Sequence, residues 1–224
     1  MNELKVTALF DLEFTDARSL LERASYPWEC LPYLKDYIPV CGADLSREEY
    51  DHPAESIWIH RSAKVAPTAH IGPRVIIGPG AEVRHCAFIR GDAFIGREAV
   101  VGNSTEIKNA LLFDQVQVPH YNYVGDSVLG YRAHLGAGVI LSNFRSDKGN
   151  VPVHFEERRV DTHLRKFGAI LGDGADIGCN SVLNPGSIIG KNTVVYPLSM
   201  VRGVVPAGHI YKNKNEIIRK ESIC

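Results

Sequence analysis

Arg90 and Lys108 are cations 18 positions apart, and each directly follows an aliphatic residue, Ile89 and Ile107. If the chain stacks them about 4.8 Å apart, they repel by about 1 kcal/mol in water and by a few kcal/mol at lower dielectric. A surface tolerates that, and an anion bridging the two cations turns it into a phosphate clamp. Glu106 and Lys108 flank Ile107, so in extended chain both side chains point away from the face that Ile107 takes. A little further on, the stretch VPHYNYVGD, Val118 to Asp126, supplies His120 and Tyr123, and Asn143 opens a charged segment. A cationic clamp, an imidazole of near-neutral basicity, a carboxylate to orient it and two hydrogen-bonding groups are what a base-catalysed reaction on a phosphorylated substrate requires.

These residues share a wall only if the chain returns to the same place every 18 residues, and a hydrophobic repeat provides that return. Ile59, Val65, Ile71, Ile77, Val83, Ile89, Ile95, Val101 and Ile107 follow one another at intervals of six. The series continues through Leu112, Val118, Val124, Leu129, Leu135 and Leu141 with two five-residue steps, then resumes at Leu171, Ile177, Leu183, Ile189, Val195 and Val201. A period of six is too short for helical hairpins and fits no heptad. It suits one short strand and one corner per unit, with alternate residues facing inward and glycine allowing the backbone of the corner. Three units close a triangular coil, so the 21 positions predict seven coils stacked about 4.8 Å apart. This is the hexapeptide repeat, and the pattern resembles the left-handed parallel β-helix family over most of residues 59–205. The expected fold is mainly β: a left-handed parallel β-helix at 56–205 with a helical extension at 1–55, a loop insertion at 142–167 and a tail at 206–224.

Within the extension, TDARSLLERASYPWECLPYLKDYI places apolar residues at helical spacing, interrupted by Pro27 and Pro32, and predicts two short helices that pack on the coil and cap its open end. The insertion carries Lys148, Arg158, Arg159, Arg165 and Lys166. A loop of that length in a compact solenoid is usually functional, the alternative being a solvated charged excursion. A net charge of −1 gives no electrostatic case for nucleic acid or an anionic membrane. The acidic opening MNELKVTALFDLEF is unlike a signal peptide, so a soluble, cytoplasmic protein is expected. Cys30, Cys41, Cys86, Cys179 and Cys224 are scattered without metal-ligand spacing and read as reduced thiols.

The string EIKN…HYNYVGD…GAG…SN is similar to the acetyltransferase domain of the bifunctional glucosamine-1-phosphate acetyltransferase/N-acetylglucosamine-1-phosphate uridyltransferase enzymes. The continuation through NFRSDKGNVPV and GAILGDGADIGCNSVLNPG is nearer to archaeal-type sugar-1-phosphate nucleotidylyltransferases that carry a comparable C-terminal domain. The resemblance implies acetyl transfer from acetyl-CoA to the amine of a hexosamine 1-phosphate. By it, Arg90 and Lys108 hold phosphate, His120 is the base, Glu106 orients it, Tyr123 binds substrate, Asn143 positions the amine, and the Ala137 N–H faces the oxyanion. It also implies a homotrimer with CoA between neighbouring coils and no required metal. The chain departs from the pattern at several points. Lys148 is displaced by about one position, Gly149 and Pro152 stand where lysines are common, and His134 and Cys179 replace an asparagine and a serine. Lys148 and Cys179 are the candidate cofactor contacts.

Three other readings compete. Nucleotidyltransferase activity is not expected from this chain, because the first 71 residues hold one glycine, Gly42, and no phosphate-binding loop, although a partner chain could supply that domain. FIRGDAFIG resembles the RGD segment of γ-class carbonic anhydrases, but no two of the nine histidines are five apart and Leu112 stands where the first ligand would follow. A non-catalytic sugar-phosphate binder or scaffold would keep the wall and lack the acyl-CoA contacts.

Overall fold

The computed structural model describes residues 1–221; Cys224 and the end of the expected tail lie outside the described residues. Residues 57–213 wind into a parallel β-helix whose short strands stack into three faces. On the first face Ile59, Ile77, Ile95, Leu112, Leu129, Leu171, Ile189 and Val205 pair in succession. The second face carries Val65, Val83, Val101 and Val118, then Leu135, Ile177, Val195 and Tyr211. The third carries Ile71, Ile89, Ile107, Val124, Leu141, Leu183 and Val201. Every aliphatic position of the repeat therefore stacks on its counterpart in the next coil. Nearly all of them are fully buried, and they form the core of the helix.

The glycines of the repeat do a different task from the one expected of many of them. The corners are left-handed residues, and most are not glycine: Arg74, Asp92, Asn109 and Asp126 along one edge, Cys86, Ser104 and Tyr121 along another. The glycine that directly follows the inward aliphatic has an ordinary φ and is needed for close approach instead. A Cβ on Gly72 would lie 2.2 Å from the Arg90 carbonyl oxygen, and one on Gly102 would lie 1.7 Å from that of Pro119. At those positions the next coil passes too near for any side chain.

The first face is apolar on both sides. Its outward residues Ile76, Phe94, Leu111, Val128, Ile170 and Ile188 are as buried as the inward ones, each worth about 1.5–3 kcal/mol relative to exposure. The leading segment covers this stripe. It holds Arg18–Leu21, a 3-10 turn Pro27–Tyr33 and the helix Leu34–Ala43. Phe10 packs on Phe113, Phe14 stacks on Tyr131 at 3.8 Å, and Trp28 meets Phe167. The backbone joins the coil where the Asp114 N–H donates to the Phe14 carbonyl and the Asp173 N–H to that of Leu9. The segment thus lies along a flank rather than capping an open end, because the flank is where unsatisfied apolar surface is greatest.

The inserted loop leaves the third face at Asn143 and rejoins the first at Phe167, whose N–H donates to the Asn143 carbonyl. Between them, Pro152–Phe155 and Arg158–Asp161 form an antiparallel hairpin. It rests on a corner edge: a Cβ on Gly186 would come within 2.5 Å of the Pro152 carbonyl oxygen, and one on Gly203 within 3.0 Å of that of His154. The insertion replaces one corner of the coil, next to the residues expected to do chemistry. No helix among the described residues is long and apolar enough to cross a membrane.

Candidate active site

The third face and the edge beside it collect the candidate residues. Glu106 and Lys108 lie on the strand Glu106–Leu112, and the following coil sets Tyr123 beside Glu106 and Gly125 beside Lys108. Arg90 is not stacked on Lys108 as the 18-residue spacing predicts. Ile89 pairs with Ile107, the register then slips, and Gly91, with φ of 131°, pairs with Lys108, which leaves Arg90 as the extra residue of a bulge. The slip arises because the step from Ile107 to Leu112 is five residues, so this coil is one residue shorter than the coil before it.

Neither cation is left free. Arg90 Nη1 donates to Glu106 Oε1 at 2.9 Å, and this bond raises the guanidinium pKa above its ordinary value. Lys108 Nζ donates to both carboxylate oxygens of Asp126, at 3.0 and 3.2 Å. Asp126 is 3% exposed and also accepts from Asn109 Nδ2 at 2.8 Å and from Asn143 Nδ2. The same Asn143 nitrogen donates to the Tyr123 hydroxyl at 3.1 Å. Burial raises the Tyr123 pKa, against the opposing effect of the Asn143 bond. The result is a closed polar network of Lys108, Asn109, Asp126, Asn143 and Tyr123 on one wall, with Arg90 and Glu106 beside it.

Asp126 and Asn109 escaped the sequence reading although its own rule points to them. Lys108 plus one 18-residue coil is Asp126, and Asn109 and Asp126 are successive left-handed corners of one edge. Gly125 is the third omission. A Cβ there would lie 2.6 Å from the Tyr123 hydroxyl and 2.7 Å from Asn143 Nδ2, so the two side chains cross directly over its Cα. Gly125→Ala pushes side-chain ends rather than backbone. It is expected to keep the melting temperature within a few degrees and to break the Tyr123–Asn143 hydrogen bond, which a shift of the Asn143 side-chain NH2 resonances in ¹⁵N NMR would report.

His120 ends the strand Gln117–His120 on the second face and stands at the edge shared with the third. Its backbone is fixed: the N–H donates to Asn122 Oδ1 at 3.1 Å, the carbonyl accepts from the Gly138 N–H at 3.0 Å, and Asn122 Nδ2 donates to the Gly136 carbonyl at 2.8 Å. Its imidazole is exposed and has no hydrogen-bond partner among the described residues. Glu106, expected to orient it, instead meets Arg90. One coil on from His120 comes Ala137, whose N–H donates to no acceptor among the described residues and whose carbonyl accepts from the Asn180 N–H. Cys179 follows on the next coil and is exposed. His134 is engaged on the second face by Asp176 at 2.8 Å, which holds the Asp176 carboxyl below its usual range. Lys148 sits in the tight turn that its N–H closes on the Arg145 carbonyl, and it joins none of the contacts on the wall.

The site is an open wall. A cavity of about 1150 Å³ lies elsewhere, between the leading helices and residues 162–164, and contains none of the candidate residues. Beside the wall, the outward side of the third face shows Phe88, Val182 and Met200 to solvent, and the adjoining corner shows Tyr121 and Leu198. The arrangement offers an exposed base, two cations held by exchangeable carboxylates, and an unpaired backbone N–H within one or two coils of each other. That is a set suited to transferring an acyl group to a nucleophile on an anionic substrate.

Comparison with known proteins bears on the same region. The family model for the GMPPB C-terminal domain matches residues 79–218. A bifunctional sugar-1-phosphate nucleotidylyltransferase/acetyltransferase of Sulfurisphaera tokodaii is 31% identical over 109 residues, which cover 49% of this chain and 27% of that protein. The bifunctional protein GlmU of Methanococcus aeolicus is 39% identical over 75 residues, covering 34% of this chain and 18% of that one. The chain therefore spans about a quarter or less of these relatives. Among solved structures, a UDP-N-acetylglucosamine acyltransferase of Francisella novicida is 18% identical with a TM-score of 0.40, covering 72% of this chain and 67% of that one.

Proposed function

Because the chain belongs to the GMPPB C-terminal domain family, we propose that it is an acyltransferase that moves the acetyl group of acetyl-CoA to the amine of a hexosamine 1-phosphate, with glucosamine 1-phosphate the first choice. The observation that carries this reading is the Lys108–Asp126–Asn143–Tyr123 network set beside an unengaged His120 imidazole. The phosphate binds Arg90 and Lys108 by exchanging with the carboxylates that now hold them, and Tyr123 completes its contacts. His120 takes a proton from the amine as nitrogen attacks the thioester carbonyl. A C–N bond forms, the C–S bond breaks, and the thiol of CoA leaves. The Ala137 N–H donates to the oxygen that carries negative charge in between. Once phosphate has taken Arg90, Glu106 is the carboxylate available to stabilise the imidazolium. Cys179, along the same edge as Ala137, and Lys148 in the loop are the proposed contacts to the acyl carrier.

An open wall cannot exclude water from such a reaction. The exposed apolar side chains beside it fit a closed C3 homotrimer in which a neighbouring subunit covers the site. We place the protein in the cytoplasm, a reading supported by its free cysteines; burial raises the Cys30 thiol to about 12 and makes it inert.

The test is release of thiol from acetyl-CoA with glucosamine 1-phosphate, galactosamine 1-phosphate and unphosphorylated glucosamine, together with light scattering of the purified chain. Turnover confined to the phosphorylated amines by a protein of three times the chain mass is the expected result. Binding of the sugar phosphates without thiol release would reassign the chain as a non-catalytic sugar-phosphate binder. The scattering result decides the trimer separately.

A further inference from the structure

We infer that Asp126 is a positioning residue that fixes the orientation of the Asn143 carboxamide, and that through it the site selects an amine over a hydroxyl as the group to be acylated. The inference rests on the acyltransferase reading for its chemical meaning and on the geometry of one buried carboxylate for its substance.

A carboxylate only accepts hydrogen bonds. The end of the Asn143 amide that faces Asp126 must therefore be the NH2, and that nitrogen donates both to Asp126 and to the Tyr123 hydroxyl, at 3.1 Å to the latter. Asp126 is itself held from three sides, by Lys108 Nζ at 3.0 Å, Asn109 Nδ2 at 2.8 Å and Asn143, and at 3% exposure water does not compete. The Asn143 Oδ1 is thus turned away from the carboxylate and receives no donor among the described residues. What the wall displays at this point is an acceptor.

That display discriminates between nucleophiles. A neutral amine carries two hydrogens: one points to the His120 base and leaves as the C–N bond forms, and the other stays on nitrogen and is held by Asn143 Oδ1 throughout. A hydroxyl carries a single hydrogen, which must go to the base and leaves nothing for Asn143 to hold. The interaction therefore orients the lone pair of an amine and offers no equivalent to an alcohol. Reversed, the carboxamide would present N–H groups to the amine, and both partners would be donors.

Asp126→Asn removes the constraint, because an amide at 126 can offer its own NH2 to Asn143 Oδ1. With glucosamine 1-phosphate, D126N is expected to lower kcat by about 10²-fold, and D126N/N143A to turn over no more slowly than N143A. Loss of the Lys108 counterion should appear in KM and persist in the N143A background, so the split between kcat and KM separates the two effects. The readout independent of activity is ¹⁵N NMR. In the wild-type protein the Asn143 side-chain NH2, assigned by its loss in N143A, is expected to be protected from exchange, and in D126N to lose that protection.

Equal kcat losses from D126N in the wild-type and N143A backgrounds would overturn the proposal, as would an unprotected Asn143 NH2 in the wild type. The latter measurement needs no folded D126N. If the wild-type protein acetylates no aminosugar phosphate while the NH2 protection responds to Asp126, the acyltransferase reading falls and the positioning of Asn143 stands.

Discussion

Replacing His120 with alanine is expected to lower thiol release by about 10²–10⁴-fold, the contribution of a positioned general base, while the protein melts within about 0.5 kcal/mol of the wild type. The second half follows from where the ring sits. Its imidazole is exposed and makes no side-chain hydrogen bond among the described residues, and substitutions at such surface positions cost little. The backbone of residue 120 is held by Asn122 Oδ1 and by the Gly138 N–H, and alanine keeps both bonds. An inactive His120→Ala protein is then a folded one, and lost chemistry is not confused with lost structure. Steady-state thiol release and thermal melting on the same preparation check this. A variant with wild-type turnover removes His120 from the mechanism and leaves the polar network as a binding surface.

The coil was legible in the sequence because it rests on one class of side chain at one spacing. An aliphatic residue every six positions has a single way to bury itself, and each of those residues stacks on its counterpart. The same spacing fails when used as a ruler for side chains that face outward. Arg90 is displaced by a bulge whose cause lies in the next coil, in the shortened step from Ile107 to Leu112. Counting positions forward from Lys108 with the same ruler reaches Asp126, which the reading passed over because an aspartate in a loop-like string reads as solvated. Only the structure shows it 3% exposed. The partnership of Arg90 and Glu106 was equally invisible, since at 2.9 Å their ion pair is diagonal and obeys no repeat. The flank had a signal that went unused. VII, AFI, ALL and SVL are three-residue apolar runs, where a strand with one wet face would alternate. Such runs mark a face covered on both sides, which is where Phe10, Phe14 and Trp28 lie.

The largest effect on stability is expected from Gly102→Ala. Its Cβ would stand 1.7 Å from the Pro119 carbonyl oxygen, 2.1 Å from the carbonyl carbon and 2.4 Å from the Cα, all backbone atoms of the next coil. A side chain could swing away from such a clash, but Pro119 cannot. It lies inside the strand Gln117–His120, paired with Val100–Asn103 on one side and, through Gln117, with His134 on the other. Relief requires the coils to part, breaking their hydrogen bonds and opening a gap in the core. Overpacking of side chains costs about 1–3 kcal/mol, and a clash with fixed backbone belongs above about 4 kcal/mol, the range reached by few substitutions. At about 2–4 °C per kcal/mol for a chain of this size, Gly102→Ala should lower the melting temperature by at least about 8 °C. Gly208→Ala is the counterpart. Gly208 has a left-handed φ of 69° and open space around it, so alanine there costs only about 1–2 kcal/mol of backbone strain. Thermal denaturation of the two variants distinguishes close approach from conformational freedom as the reason for a glycine, and equal melting temperatures would refute the distinction. Pro119 immediately precedes His120, so parting these coils also moves the imidazole. Thiol release should therefore fall with stability in Gly102→Ala and survive in Gly208→Ala.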